Sequence, residues 1–400
     1  MGKTLLISFI GKATRNKNSQ ESGGKSIGYE SVEYVFQDGT TYKTSFFPVA
    51  VYKYLIEKEN KNPDIFIFGT TGSTWSELWQ LVEEDEEIFS VASELENNSK
   101  DNNINNISGI LKKFQDLLSN RLKSNLQLIP IEDEPPQVFR IAQEVYERLN
   151  QENYKEIILD ITHSYRYMPF SVLSALMIYR NIKDFSIRIV YGFLEHKKNG
   201  KSPAYDLTDL SNLINLSNAI STFVNTGDFR KYYDIVGSEE TVRHANELYY
   251  QIEINRHSRS LIDKVISFEP KEPFYKSIHK EVVKDIEEFS DNKLENRIAN
   301  RAKFFAERGQ YLKAIILLFE AIITLRCREM GRNFEDEKQR EEVKKHLLKN
   351  DKDFNIFREV RNSVVHGTEV KIAKAKDILK SENRIKRFID DIYKKYFNKK

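Results

Sequence analysis

Cysteine is nearly absent from the 400 residues: Cys327 stands alone, so no internal disulfide framework and no multi-cysteine zinc or iron–sulfur site can form within the chain. A reducing compartment, the cytoplasm, is the expectation. Glycine (16) and proline (9) are scarce, which excludes collagen-like and low-complexity classes. No run approaches the ~20 apolar residues that span a bilayer. The stretch Met1 to Ile10 lacks a small-residue cleavage site and reads as a strand, so no membrane partner is expected. An excess of one charge is missing too. Lys plus Arg (62) nearly balance Asp plus Glu (60), and any nucleic-acid footprint has to be local. One stretch qualifies: Lys371 to Lys400 holds eleven Lys/Arg against four Asp/Glu. What is plentiful is apolar area, with 25 Phe and 20 Tyr, enough for more than one buried core.

The first half alternates strands and helices. Strands are expected at Thr4 to Ile10, Asp64 to Phe68, Leu126 to Ile131, Glu156 to Ile161 and Phe185 to Tyr191. A hairpin is expected over Ser31 to Phe36 and Thr40 to Thr44 about Asp38-Gly39, and a helix over Phe47 to Glu59. Thr74-Trp-Ser-Glu77 has the pattern of a capping box that starts another helix, and the Asn- and Ser-rich residues 97–108 read as a surface loop. Continuous apolar strands alternating with helices imply an α/β Rossmann-like domain, a parallel sheet with helices on both faces. After Asp206 the apolar spacing becomes three and four, predicting an all-α carboxyl-terminal half. The expected division is 1–205, a helical connector at 206–290, and 291–400, with Glu269-Pro-Lys-Glu-Pro273 breaking the helical pattern.

Ligands of open parallel sheets bind beyond the carboxyl ends of the strands. Three strand ends carry suitable loops: Gly11 to Thr14; Gly69-Thr70-Thr71-Gly72-Ser73; and Asp160-Ile-Thr162-His163-Ser164-Tyr165-Arg166-Tyr167-Met168, followed by Pro169. The third is expected to be an exposed loop of donors, cations and rings, with a solvent-facing His163, able to hold phosphates and stack bases. The second also suits a simple turn into a helix. Neither a Walker A motif nor Gly-x-Gly-x-x-Gly is present, which disfavours a P-loop ATPase or a dinucleotide oxidoreductase.

Near the carboxyl terminus, Phe354, Phe357, Val360 and Val364 form a helical stripe, with Arg361, Asn362 and His366 off it and Gly367 as the stop. Arg361 and His366 are about 140 degrees apart on an ideal helix, so they are expected to converge only on a target that wraps that end. Arg, an amide and one His, with no metal, suit RNA cleavage by the neighbouring 2′-hydroxyl. The histidines at 163, 196, 244, 257, 279, 346 and 366 form no His-x-His or His-Glu-x-x-His cluster, so no metal site is expected.

Taken together, Ile7-Ser-Phe-Ile-Gly11, Gly69-Thr-Thr-Gly-Ser73 and Asp160-x-Thr162-His163-x-x-x-x-Met168-Pro169 resemble the sensor (CARF) domain of CRISPR-associated ancillary ribonucleases of type III systems. Arg361-Asn-Ser-Val-Val-His366 resembles the centre of the HEPN ribonuclease domain that such proteins carry. The resemblance implies a homodimer whose paired sensors bind a cyclic oligoadenylate, usually the tetra-adenylate, and switch on cleavage of single-stranded RNA, with assembly beyond a dimer left open. It implies no cofactor and no metal. Catalysis then falls to Arg361, Asn362 and His366. Messenger binding falls to Gly11, Thr14, Thr70, Thr71, Gly72, Ser73, Thr162, His163, Ser164, Arg166, Tyr167 and Met168. Slow cleavage of the messenger by the sensor, with His163 carrying a proton, is a further expectation. A ligand-sensing transcription regulator and a non-catalytic nucleotide-sensing interaction protein are the competing readings.

Overall fold

The computed structural model describes residues 2–12, 31–82, 85–98, 104–132, 136–256 and 258–398. The chain divides into two units, Met1–Ile214 and Asn215–Lys400. The division falls inside helix α6 (Asp209–Thr226) rather than at 205, because Leu207 and Ile214 pack onto the first core and Leu216, Ala219 and Phe223 onto the second.

The first unit is built on one eight-stranded sheet in the order β3-β2-β8-β7-β6-β1-β4-β5. Its strands are β1 (Lys3–Ile10), β2 (Val32–Val35), β3 (Thr41–Thr44), β4 (Asp64–Thr70), β5 (Leu126–Ile131), β6 (Tyr154–Asp160), β7 (Ser186–Gly192) and β8 (Lys201–Asp206). β1 lies between β4 and β6 and is parallel to both, so chain order reverses there. The expected hairpin is β2 against β3. β8, whose Lys, Pro203 and Asp gave no strand pattern, runs antiparallel to β7 and parallel to β2. Both edges are distinctive: β5 carries Pro130, in register with Gly69, and β3 is four residues long with Lys43 exposed.

Pleating sends alternate residues to opposite faces. Leu6 and Ile10 of β1, with Ile65 and Ile67 of β4, pack under α1 (Phe47–Glu57), α2 (Glu86–Asn98) and α3 (Ile104–Leu122). Leu5, Ile7 and Phe9, with Phe66 and Phe68, meet α4 (Val138–Leu149) and α5 (Tyr167–Arg180). Helices therefore cover both faces. The expected capping-box helix is a short 3₁₀ segment, Trp75–Leu81, and Thr74 makes no side-chain cap bond. The reason is that Glu77 is fully buried and accepts from Ser45 Oγ and Gln80 Nε2, each at 2.5 Å, instead of closing a box. Of the Asn- and Ser-rich stretch, residues 99–103 lie outside the described residues.

The second unit is all helical among its described residues: α7 (Arg230–Val236), α8 (Glu239–Glu253), α9 (Arg259–Ile266), α10 (Pro273–Glu287), α11 (Leu294–Glu307), α12 (Tyr311–Glu329), α13 (Glu337–Asn350), α14 (Lys352–His366), α15 (Ala373–Ile378) and α16 (Glu382–Phe397). One core runs from Leu216 to Tyr396 and includes Cys327. The segment 206–290, expected as a connector, has no core of its own here: Phe223 meets Phe304 at 6.1 Å, and Phe289 meets the same ring at 5.0 Å. None of the described helices is long and apolar enough to cross a membrane.

Candidate functional sites

In the first unit the carboxyl ends of β1, β4 and β6 are tied to one another by side chains. Ser73 Oγ donates to Ile10 O at 2.8 Å and accepts from the Thr70 N–H at 2.8 Å, and the Trp75 indole N–H reaches Thr70 O at 3.0 Å. Gly11 O accepts from the Thr74 N–H at 3.0 Å. Gly69 is required by close approach, since a Cβ there would lie 2.5 Å from Ile10 Cγ2 and 2.8 Å from the Trp75 ring. The hydroxyls of Thr70 and Ser73 thus lock β4 to β1, Thr71 is buried and Gly72 half-buried. Thr14 lies outside the described residues.

Beyond β6 the loop is only partly exposed. Asp160 is fully buried and accepts from Ser8 Oγ at 2.6 Å and from the Thr162 N–H at 2.9 Å, while burial pushes its carboxyl up to about 6. Thr162 Oγ1 accepts from the Gly192 N–H at 2.8 Å and so joins this loop to the end of β7. His163 corrects the expectation of a solvent-facing imidazole. It is buried, its ring lies 5.2 Å from that of Phe46, and its Nε2 accepts from the Phe47 N–H at 3.4 Å. The cause is local: α1 opens with Phe46 as cap and Pro48 behind it, neither offering a side-chain acceptor, and the imidazole fills that place. Accepting at Nε2 puts the ring proton on Nδ1. Burial holds the ring neutral, down to about 4. Met168 is likewise core, wholly buried against Val172 and its neighbours. Ser164 turns the loop at φ +94.

What the loop offers outward is Arg166 and Tyr165, while Tyr167 is half-buried against the core. Arg166 is exposed and has no hydrogen-bond or ion-pair partner among the described residues. The rings of Tyr165 and Tyr167 lie 6.3 Å apart at 17°. Beside them is a row of rings that the sequence reading did not mark. Tyr191, near enough to Arg166 to feel its charge, meets Phe193 at 5.5 Å; Phe193 stacks on His196 at 4.1 Å and reaches Tyr205 at 5.9 Å. Only their spacing about the β7–β8 connection, Tyr191-Gly-Phe193 with His196, hinted at them.

Residues 5–195 match the family model of the CARF domain of the CRISPR system endoribonuclease Csx1. The match identifies a CARF domain in the first unit and ends before the second unit begins. A solved structure of Enterococcus italicus Csm6 bound to cyclic hexa-2′-fluoro-hexa-dAMP is similar over 100% of this chain and 95% of its own, at 11% identity and a TM-score of 0.40. No curated protein matches the chain. In this CARF unit the exposed Arg166 and Tyr165 follow β6, next to the switch point at β1, where the fold places ligands.

The second constellation lies at the end of α14. Asp351 caps the helix by accepting from the N–H groups of Asp353 and Phe354; Phe354, Phe357 and Val360 are buried; and Gly367 ends it in the left-handed region at φ +63. Arg361 and His366 do converge within one chain, contrary to their angular separation on an ideal helix. The long guanidinium arm spans the gap, so Arg361 Nη1 lies 3.3 Å from His366 Nε2 and 3.1 Å from Asn362 Oδ1. Arginine has no acceptor, so this contact makes Nε2 the lone-pair nitrogen of the ring. Arg361 has no carboxylate partner among the described residues, and its guanidinium carbon stands 5.4 Å from the centre of the Phe319 ring. An uncompensated guanidinium beside an exposed imidazole can take a phosphate with one group and a proton with the other.

Proposed function

We propose that this chain is a cyclic oligoadenylate-activated, metal-independent endoribonuclease of the HEPN type, cleaving single-stranded RNA in type III CRISPR defence. The observation that carries the reading is the contact of Arg361 Nη1 with His366 Nε2 at 3.3 Å, with no carboxylate on the guanidinium among the described residues. RNA phosphate competes for the Arg361 donors and frees Nε2 to accept the 2′-hydroxyl proton. The 2′-oxygen attacks phosphorus, the bond to the 5′-oxygen breaks, and a 2′,3′-cyclic phosphate is left while the leaving oxygen is protonated. Asn362 holds the guanidinium through Oδ1.

One imidazole per chain for a reaction that uses a base and an acid supports a homodimer with a composite centre. Apolar side chains on α4 and α5, among them Phe139 (90% exposed) and Phe170 (70%), give the CARF unit a face to bury against a second copy. In the messenger site Arg166 takes a phosphate and Tyr165, Tyr167 and the Tyr191–Phe193–His196 row offer stacking faces for adenine. Cyclic tetra-adenylate is the ring size we propose. Slow opening of the ring by this unit rests on alignment of the ligand's own 2′-hydroxyl, because His163 is buried with Nε2 engaged.

The test is RNA cleavage with and without cyclic tetra-adenylate, in EDTA, for wild type and His366→Ala. Messenger-dependent cleavage that survives EDTA, leaves cyclic or 3′-phosphate ends and vanishes in His366→Ala is the expected result. Full activity of His366→Ala, or a strict need for Mg²⁺, overturns it. The same variant in molar excess over labelled messenger reads the ring opening.

A further inference from the structure

The pair Arg361–His366 needs a device that keeps a flexible, charged arm in one place without neutralising it. A carboxylate would hold the guanidinium more tightly, yet it would also occupy the donors that a phosphate must use. The surroundings of Arg361 solve this with uncharged groups. Asn362 Oδ1 takes one donor, His366 Nε2 lies against the same nitrogen, and the guanidinium carbon stands over the ring of Phe319 of α12, 5.4 Å from its centre. Phe319 is itself fixed: it is 4% exposed, its ring stacks on Phe354 at 5.2 Å and 20°, and it meets Phe357 at 6.0 Å. Phe354 and Phe357 belong to the apolar stripe of α14, the helix that carries Arg361 and His366. One ring therefore keys α14 to α12 with its neighbours and carries the guanidinium of α14 as well.

We infer that Phe319 is a positioning residue of the ribonuclease centre. Its ring face holds the Arg361 guanidinium beside His366 through a cation–π contact, which leaves the in-plane donors open to RNA phosphate. The inference rests on the proposed roles of Arg361 and His366. A contact of this kind spans roughly 0.5–2 kcal/mol, which corresponds to about a two- to thirtyfold change in rate. It is spent on the orientation of a charge in the transition state, so the loss falls on kcat rather than on KM.

The experiment compares Phe319→Leu, Phe319→Tyr and Phe354→Leu in the full chain, with far-UV circular dichroism checking the fold, and Arg361→Ala beside them. Phe319→Leu keeps an apolar side chain but removes the π face; Phe354→Leu loosens the same stack without touching Arg361. We expect kcat to fall about tenfold in Phe319→Leu with KM within twofold of wild type, and to recover in Phe319→Tyr. The ¹⁵N Nη signals of Arg361, distinct while its guanidinium is held, should merge in Phe319→Leu and stay distinct in Phe354→Leu. A Phe319→Leu enzyme as fast as wild type beside an inactive Arg361→Ala overturns the positioning role and leaves the ribonuclease reading standing; an active Arg361→Ala overturns that reading itself. Equal losses in the two Leu variants, or merged Nη signals already in wild type, also overturn the positioning role. The wild-type spectrum decides even where a Leu variant fails to fold.

Discussion

His163 and Asp160 form an opposed pair of buried titrating groups, and their effects on stability can be separated by substitution. Burial lowers the imidazole from 6.5 to about 4, so as pH falls the unfolded chain takes up this proton first. Its contribution is complete above pH 6.5 and is lost toward pH 4. At 1.36 kcal/mol per pH unit that amounts to about 3 kcal/mol. Burial raises the Asp160 carboxyl from 3.8 to about 6, so here the folded chain binds the proton first. Its contribution is complete below pH 3.8 and is lost as pH rises through 6, again by about 3 kcal/mol. Between pH 6 and 4 the two slopes have opposite signs and nearly cancel in the native protein. The assay is urea unfolding followed by tryptophan fluorescence, which reports the CARF unit alone because both tryptophans, Trp75 and Trp79, lie in it. From pH 7 to 4 the stability of His163→Gln should gain about 3 kcal/mol relative to wild type, and that of Asp160→Asn should lose about as much. A His163→Gln curve parallel to wild type across this range refutes a buried neutral imidazole on the Phe47 N–H.

Arg166→Ala should leave the unfolding midpoint unchanged and raise the concentration of cyclic tetra-adenylate needed for half-maximal RNA cleavage by about tenfold, measured by titration calorimetry and activity together. Gly69→Ala should destabilise the CARF unit by roughly 1–3 kcal/mol in the same fluorescence assay, since the new methyl meets both Ile10 and the Trp75 ring under 3 Å. Excess His366→Ala chains mixed with wild type should lower activity per wild-type chain once subunits exchange; a constant value would show each chain acting alone.

The parallel sheet was legible because β1, β4 and β6 each centre on a short apolar run, such as Ile157 to Leu159 in β6, and α14 because its stripe of Phe354, Phe357 and Val360 is bounded by Asp351 and Gly367. β8 was not, since its middle is Ser202-Pro203-Ala204 and one of its two partners, β2, is far away in the chain. In the loop after β6 the residue types were readable but their directions were not. Whether an imidazole faces water or a helix end is set by what stands opposite, and Phe47 lies 116 positions upstream of His163. The same holds for Phe319, which in sequence is one more apolar residue of α12. Arg361 was misjudged for another reason: angular position describes where a Cβ leaves a helix, and a long side chain need not stay there.

The two borders of the sheet bear on how the protein stays out of aggregates. An unpaired strand is a template for any other strand with free donors and acceptors, and long flat borders recruit copies in fibres. Here one border is β5, where Pro130 supplies no donor to an incoming chain. The other is β3, four residues long, with the charge of Lys43 exposed. β3 is too short to be copied, and β5 is interrupted by its proline. Self-association of this unit through sheet extension is therefore disfavoured at both ends, and its most exposed apolar side chains, Phe139 and Phe170, stand on helices instead.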